Sequence, residues 1–166
     1  MTYLIFHWEK AIVIGRTTLY GSFMYYHHHE SQLLVRLMFN IKMTGIRIIS
    51  KLSGLALDGN EKFIRAAMPD NTIGQIWSLE SLGNGTFVIH SFLKRNMVLD
   101  IENGCHGENI ILYPRHGNEN QQFYINSDGT IVPAGDRQKV LQMVTGKVIV
   151  RPVNNLRNVD HLFNIE

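Results

Sequence analysis

Two short sequence landmarks each occur three times in this chain, in the same order and at similar spacing. The first landmark is a leucine followed by a polar residue, and it recurs every 42 residues, at Leu57-Asp58, Leu99-Asp100 and Leu141-Gln142. The second is an aromatic residue with an aliphatic residue two positions later, at Trp77 and Leu79, Phe123 and Ile125, and Phe163 and Ile165. A repeat period of about 43 residues indicates three copies of one structural unit.

The sequence between the landmarks favours β-strands. Short β-prone runs such as Phe87–Ile89 and Ile110–Tyr113 lie between polar turns such as Asp58-Gly59-Asn60 and Asn103-Gly104. A unit of about four short strands cannot bury its own apolar face, whereas three units closed around a shared axis can do so and leave few free strand edges. The sequence therefore predicts an all-β fold, a β-trefoil with three pseudo-threefold repeats. A β-sandwich with chance internal similarity is the alternative.

The β-trefoil is predicted for residues 43–166, with repeats at about 44–84, 85–128 and 129–166. The preceding residues 1–42 are rich in apolar and aromatic side chains, but these follow neither the period of a strand nor that of a helix. We expect an irregular or partly helical N-terminal segment there, one that need not be well ordered. Its role stays open.

The charge distribution argues against a nucleic-acid partner. The chain has 16 basic and 14 acidic side chains, and four of the basic and two of the acidic ones lie in residues 1–42, so residues 43–166 are neutral. Proteins that bind nucleic acid normally gather a basic face against the phosphates. A membrane span is not expected either, because no stretch approaches about 18 uninterrupted apolar residues.

Sequence motifs for catalysis and cofactor binding are absent. There is no glycine-rich phosphate loop, HExxH or Gly-x-Ser-x-Gly motif, and Cys105 is the only cysteine. We therefore expect a protein that is not an enzyme and has no cofactor and no metal site. The run His27–His29 is interpreted as an exposed polar stretch, because three consecutive imidazoles do not converge on one ion.

The localisation stays unknown from the sequence. The apolar patch Ala11–Ile14 is short for a signal peptide and follows the acidic Glu9, where a positive charge would be expected. With no convincing signal peptide, a cytoplasmic and a secreted location are both allowed.

The repeated landmarks carry a family resemblance. A Gln-x-Trp signature is intact at Gln75-Ile76-Trp77 and is softened to Gln121-Gln122-Phe123 and His161-Leu162-Phe163. Together with the Leu-Asp elements in 53–58 and 97–101, it makes residues 44–166 resemble the ricin B-type (R-type, QxW) lectin family. The resemblance implies a β-trefoil in which each unit can carry a shallow pocket for a galactose-type sugar.

The resemblance also implies which residues form a pocket: the aspartate of the Leu-Asp element, an aromatic residue partway through the unit and an asparagine before the glutamine. The second unit has all three, as Asp100, Tyr113 and Asn120. A carboxylate accepts hydrogen bonds from sugar hydroxyls, an aromatic ring covers the apolar face of the pyranose, and an amide both donates and accepts. Three neighbouring residues complete the predicted site: Gln121, His116 and Asn118.

The other two units lack parts of this set. The first unit keeps Asp58, but Ala67 and Gly74 stand at the positions of the aromatic residue and the asparagine. The third unit has three replacements, Gln142, Arg151 and Asp160. Both units are predicted to be scaffold, which leaves one competent pocket.

The resulting prediction is a lectin-like module that binds galactose- or N-acetylgalactosamine-type glycans through its second unit. Its partners would be glycans or glycoproteins, and homo-oligomer formation stays open as a route to avidity. The alternative is a β-trefoil that serves as a protein–protein interaction or inhibitor scaffold with decayed sugar sites. A targeting module separated from a larger enzyme is a minor third reading.

Overall fold

The computed structural model describes residues 5–8, 11–14, 45–153 and 160–166. The chain divides into two compact units, Met1–Met43 and Thr44–Glu166. In the first, strands β1 (Ile5–Trp8) and β2 (Ala11–Ile14) form an antiparallel pair. The prediction of an irregular or partly helical segment is wrong for these eight residues, because their β-branched and aromatic composition favours strands. The predicted polar run at His27–His29 lies outside the described residues.

Twelve short strands lie in the described part of Thr44–Glu166, four in each of its three repeats, which are called the first, second and third units below. In the first repeat they are β3 (Ile48–Ser50), β4 (Ala56–Asp58), β5 (Arg65–Ala67) and β6 (Trp77–Ser81). In the second they are β7 (Phe87–Ser91), β8 (Met97–Ile101), β9 (Ile110–Pro114) and β10 (Phe123–Ile125). In the third they are β11 (Ile131–Pro133), β12 (Lys139–Val144), β13 (Lys147–Pro152) and β14 (Phe163–Ile165). Single-turn 3-10 helices at Ile73–Gln75 and Glu119–Gln121 precede the last strand of the first two repeats.

Strand pairing closes the unit and keeps the three repeats in register. The strands form two six-stranded sheets, and in one of them β14 pairs with β3, which joins the last repeat to the first. Each repeat contains an antiparallel hairpin in which the landmark leucine has an equivalent partner: Leu57 opposite Ala66, Leu99 opposite Leu112 and Leu141 opposite Val150. The predicted all-β class and β-trefoil are confirmed.

The repeated apolar residues meet in one core. The three landmark leucines and the three landmark aromatic residues all belong to a single buried cluster and are at most 2% exposed: Leu57, Leu99, Leu141, Trp77, Phe123 and Phe163. The indole Nε1 of Trp77 donates to the carbonyl oxygen of Leu57 at 3.2 Å, so the polar atom of the largest core side chain is satisfied. Because each repeat supplies one leucine and one aromatic residue to this core, the three repeats depend on one another for the burial of their apolar side chains.

The threefold core leads to a stability prediction. Phe123→Ala removes a fully buried ring and should lower the free energy of unfolding by about 3–5 kcal/mol, measured by urea denaturation. Phe63→Ala is the matched control, because Phe63 is 46% exposed and outside the core cluster. A similar loss in both variants would contradict the shared core.

Candidate functional site

Two of the predicted site residues lie on one face of the β8–β9 hairpin. Asp100 stands opposite Ile111, and Tyr113 follows Ile111 by two residues. Because side chains two apart on a strand point to the same side, Asp100 and Tyr113 share a face. Asp100 is 4% exposed and Tyr113 is 47% exposed, so a buried carboxylate adjoins an accessible ring.

One oxygen of Asp100 is held by three donors. Its Oδ2 accepts hydrogen bonds from Gln121 Nε2 at 2.8 Å and from Asn120 Nδ2 at 3.1 Å. His116 Nε2 lies 3.2 Å from the same oxygen. The other oxygen, Oδ1, accepts no hydrogen bond from a described residue. Asp100 Oδ1 is also not among the fully buried side-chain atoms of the described residues that lack a partner, so part of its surface remains accessible.

Gln121 supports the site from beneath and does not face solvent. It is fully buried, and its Nε2 also donates to the carbonyl oxygen of Pro114 at 2.9 Å. Its Oε1 accepts from the backbone N–H groups of His116 at 2.8 Å and Gly117 at 3.1 Å. The glutamine therefore fixes the aspartate and the loop after β9 at the same time, and its own hydrogen-bonding capacity is used.

His116 and Asn118 take different roles in the loop. The backbone N–H of Asn118 donates to His116 Nδ1 at 3.2 Å, which leaves Nε2 as the ring nitrogen that donates to Asp100. The rings of His116 and Tyr113 lie 5.9 Å apart at 66°, an edge contact. Asn118 contributes its backbone, and no side-chain capping bond forms at this position, where the 3-10 helix begins.

Two oxygen atoms in the site, both acceptors, have no partner among the described residues, and the Tyr113 hydroxyl can both donate and accept. Asn120 uses its amide nitrogen on Asp100 Oδ2 and on the carbonyl oxygen of Ile101 at 3.2 Å, which leaves its Oδ1 for an external donor. Asp100 Oδ1 is the second open acceptor. We call Asp100, Tyr113, His116 and Asn120 the second-unit site. Two open oxygens beside an aromatic ring suit a ligand with hydroxyl donors and an apolar face, and they do not suit an anion.

Burial makes the ionised form of Asp100 less favourable. Loss of solvent raises the pKa of this carboxyl above its usual 3.8, and the hydrogen bond from Gln121, the charge and hydrogen bond of His116 and the hydrogen bond from Asn120 only partly oppose this. A raised pKa means that the charge of Asp100 lowers the stability of the fold at neutral pH. Buried groups with such shifts are concentrated at functional sites.

A salt bridge that the sequence analysis missed anchors the loop of the second-unit site. Arg115 donates to both oxygens of Glu80 on β6, at 2.8 Å from Nε and 2.7 Å from Nη2. His90 Nε2 lies 2.7 Å from Glu80 Oε2. The hydrogen bond from Arg115 is the main reason that the pKa of Glu80 falls from 4.5 to about 2, and His90 adds to it. The ion pair spans 35 residues of sequence, and no local pattern indicates it.

The first unit retains the framework of the second. Gln75 is fully buried and donates to Asp58 Oδ2 at 3.2 Å and to the carbonyl oxygen of Met68 at 2.9 Å, while its Oε1 accepts from the backbone N–H of Asp70. The asparagine that precedes the glutamine is missing, as predicted, but an amide from another position takes part. Although Gly74 replaces the asparagine, Asn60 donates to both oxygens of Asp58, at 2.8 and 3.0 Å.

The third unit has lost the pattern more completely. The strand register places Arg151 at the position of Tyr113, because it stands opposite Val140 as Tyr113 stands opposite Val98. Asp160, which replaces the asparagine, accepts a hydrogen bond from the Ser50 hydroxyl. Part of the equivalent loop, residues 154–159, lies outside the described residues.

The described residues show neither a metal-binding cluster nor a membrane-spanning helix. Within the described residues, no group of three or more His, Cys, Asp or Glu side chains is arranged to hold a metal ion. In the same part of the chain, no helix has the length and apolar character needed to span a membrane.

No protein-family model and no characterised protein sequence matches this chain. Similarity to solved structures is clear. A designed threefold-symmetric protein, ThreeFoil, matches with a TM-score of 0.60 and 20% identity, over 72% of this chain and 96% of that protein. The C-half of an earthworm R-type lectin, solved in complex with GalNAc, matches with a TM-score of 0.56 and 20% identity, over 74% of this chain and 98% of that one.

The same fold is found within larger proteins. A GlcNAcα1-4Gal-releasing endo-β-galactosidase from Clostridium perfringens matches with a TM-score of 0.61 and 16% identity over 74% of this chain, which spans only 32% of the enzyme. At these identities the similarity establishes the fold. Residues 45–153 and 160–166 thus belong to a β-trefoil of the kind found in R-type lectins.

Proposed function

We propose that this chain is a carbohydrate-binding module with one working site, the second-unit site, for a galactose- or N-acetylgalactosamine-type glycan. The observation that carries the proposal is the asymmetric use of Asp100. Three donors fix Oδ2, while Oδ1 remains free beside the exposed ring of Tyr113. A carboxylate oriented in this way is ready to accept hydroxyl hydrogen bonds without first losing bonds to the protein.

The roles of the site residues follow from their contacts. Asp100 Oδ1 and Asn120 Oδ1 accept from sugar hydroxyls, and the Tyr113 ring covers an apolar pyranose face. His116 forms a second wall and fixes the carboxylate, and Gln121 acts from below. The solved complex of an earthworm R-type lectin with GalNAc supports this class of ligand.

The proposed role is binding and not catalysis. Glycoside hydrolysis generally uses two carboxyl groups flanking the scissile bond. The partners of Asp100 among the described residues are two amides and an imidazole, and its second oxygen is free. This arrangement suits the binding of a hydroxyl, and no second carboxyl group contacts Asp100 among the described residues.

The first test is Asp100→Asn, with binding measured by glycan array and by isothermal titration calorimetry with N-acetylgalactosamine. Loss of a charged acceptor should weaken binding about tenfold or more, because a hydrogen bond to a charged group contributes about 1.5–3 kcal/mol. The free energy of unfolding at pH 7 should stay the same or rise, since burial disfavours the Asp100 charge.

Asp58→Asn is the matched control, because both oxygens of Asp58 are already engaged within the first unit. It should leave sugar binding unchanged. Full affinity in Asp100→Asn would show that the site is placed wrongly. Silence of the wild type across all galactose-, N-acetylgalactosamine- and mannose-type glycans would favour the scaffold alternative.

The second test concerns the anchor between Arg115 and Glu80. Glu80→Gln removes the bidentate ion pair, so we expect weaker sugar binding because the loop that carries His116 is less well fixed. We also expect lower stability above pH 4.5. Because the folded-state pKa of Glu80 is about 2, that difference from the wild type should shrink as the pH falls from 4.5 towards 2.

Urea unfolding of both proteins between pH 2 and pH 7 measures this difference. Glu108→Gln is the control, since the ion pair that Glu108 forms within the described part of the chain is a long contact of 3.7 Å with Arg151. A stability difference for Glu80→Gln that is constant with pH would contradict the role of the ionised carboxylate.

A further inference from the structure

The carboxylate of Asp58 has the same place in the first unit as Asp100 has in the second, but none of its oxygens is free. Its Oδ1 accepts from the backbone N–H of Asn60 at 2.8 Å and from Asn60 Nδ2 at 2.8 Å. Its Oδ2 accepts from Asn60 Nδ2 at 3.0 Å and from Gln75 Nε2 at 3.2 Å. The oxygen that is open in the second unit is therefore closed here by a residue two positions along the same turn.

The Asn60 side chain also fills the space of the missing asparagine. Gly74 is the equivalent of Asn120, since each directly precedes the buried glutamine of its unit. A Cβ atom on Gly74 would lie 2.6 Å from three side-chain atoms of Asn60, which is closer than a real contact allows. Glycine at position 74 and asparagine at position 60 thus form one packed arrangement.

The turn that carries Asn60 is fixed against the core. The backbone N–H of Gly59 donates to the carbonyl oxygen of Gly74 at 2.9 Å. A Cβ on Gly59 would lie 2.7 Å from the Trp77 ring, so only glycine lets the turn approach the core this closely. Lys94 Nζ donates to the carbonyl oxygen of Asn60 at 3.0 Å. The backbone of the turn is therefore held in place by Gly74, Trp77 and Lys94.

We propose that Asn60 is an internal substitute for a ligand, which closes a latent carbohydrate site in the first unit and limits the chain to one binding site. This inference rests on the proposed function of the second-unit site. The framework beneath the latent site is complete, because Gln75 makes the same kinds of contact as Gln121. The Asn60 side chain therefore blocks the first unit, which also lacks the aromatic residue, at Ala67, and the asparagine, at Gly74.

A double-mutant cycle tests the blocking contact without any sugar. In the wild type, Gly74→Ala should lower the midpoint of urea unfolding, because the new Cβ displaces the Asn60 amide from Asp58. In an Asn60→Ala background, the same change should have roughly half the effect or less, since the obstructing atoms are gone. Equal effects in both backgrounds would overturn the proposal.

A gain of binding tests the latent site itself. The triple variant Asn60→Ala, Ala67→Tyr, Gly74→Asn removes the Asn60 amide from the Asp58 carboxylate and adds an aromatic ring and a new amide. Asp58 Oδ1 then keeps the backbone N–H of residue 60 and has one lone pair for a sugar hydroxyl. Calorimetric titration with N-acetylgalactosamine should then give two sites per chain where the wild type gives one. Adding Asp100→Asn to the triple variant should leave one site.

The control is Ala67→Tyr alone, which retains Asn60 and Gly74, keeps the Asn60 amide on Asp58 and should keep the wild-type single site. A cooperatively folded triple variant that still binds one sugar overturns the latent site. A wild type that binds no sugar instead refutes the proposed function, and the stability cycle then still reports on the Asn60 contact. The two failures are distinguishable.

Discussion

The hydrogen bonds of one buried glutamine hold together the loop and the aspartate in each of the first two units. In the second unit, Gln121 contacts the carboxylate of Asp100, the carbonyl oxygen ending β9 and two backbone N–H groups of the following loop. In the first unit, Gln75 contacts the equivalent carboxylate, the carbonyl oxygen of Met68 and one N–H. A buried amide with every group satisfied stabilises a single loop conformation, because any other arrangement leaves polar groups unpaired.

The buried glutamine is similar in the two units, so the difference between them lies in the residues around the aspartate. Asp100 keeps one oxygen open, and the charge carries an energetic cost that burial imposes. Neither oxygen of Asp58 lacks a partner, because Asn60 Nδ2 donates a hydrogen bond to both. The same buried scaffold therefore gives an accessible acceptor in one unit and an internally satisfied carboxylate in the other. The proposed binding role and the stability of the fold therefore make opposing demands on this position.

The sequence predicted the fold well because the fold depends on repetition. Equivalent leucine and aromatic positions have to meet in one core, and repeated spacing reveals them without knowledge of any contact. The shared face of Asp100 and Tyr113 also follows from strand geometry once the hairpin is recognised. The strands at Ile5–Trp8 and Ala11–Ile14 were missed because four-residue apolar runs carry too little periodicity to identify.

Contacts between distant residues explain what the sequence left undetermined at the site. Glu80 and Arg115 are joined only after β6 and the loop following β9 have been placed side by side. Asn60 is close to Asp58 in sequence, and an Asp-Gly-Asn turn is a pattern that permits such a local bond. That this bond replaces the missing asparagine depends on Gly74, fourteen residues away, whose lack of a side chain makes room for it.

The number of sites per chain bears on how such a module would act. One shallow site with two open acceptors and one ring offers a small set of contacts, so a single sugar would be held weakly. High avidity would then require several chains on one surface, because linked sites raise the effective concentration of the second binding event. Blocking the first unit with Asn60 removes that gain within one chain. High avidity would then depend on how many copies of the chain are brought together.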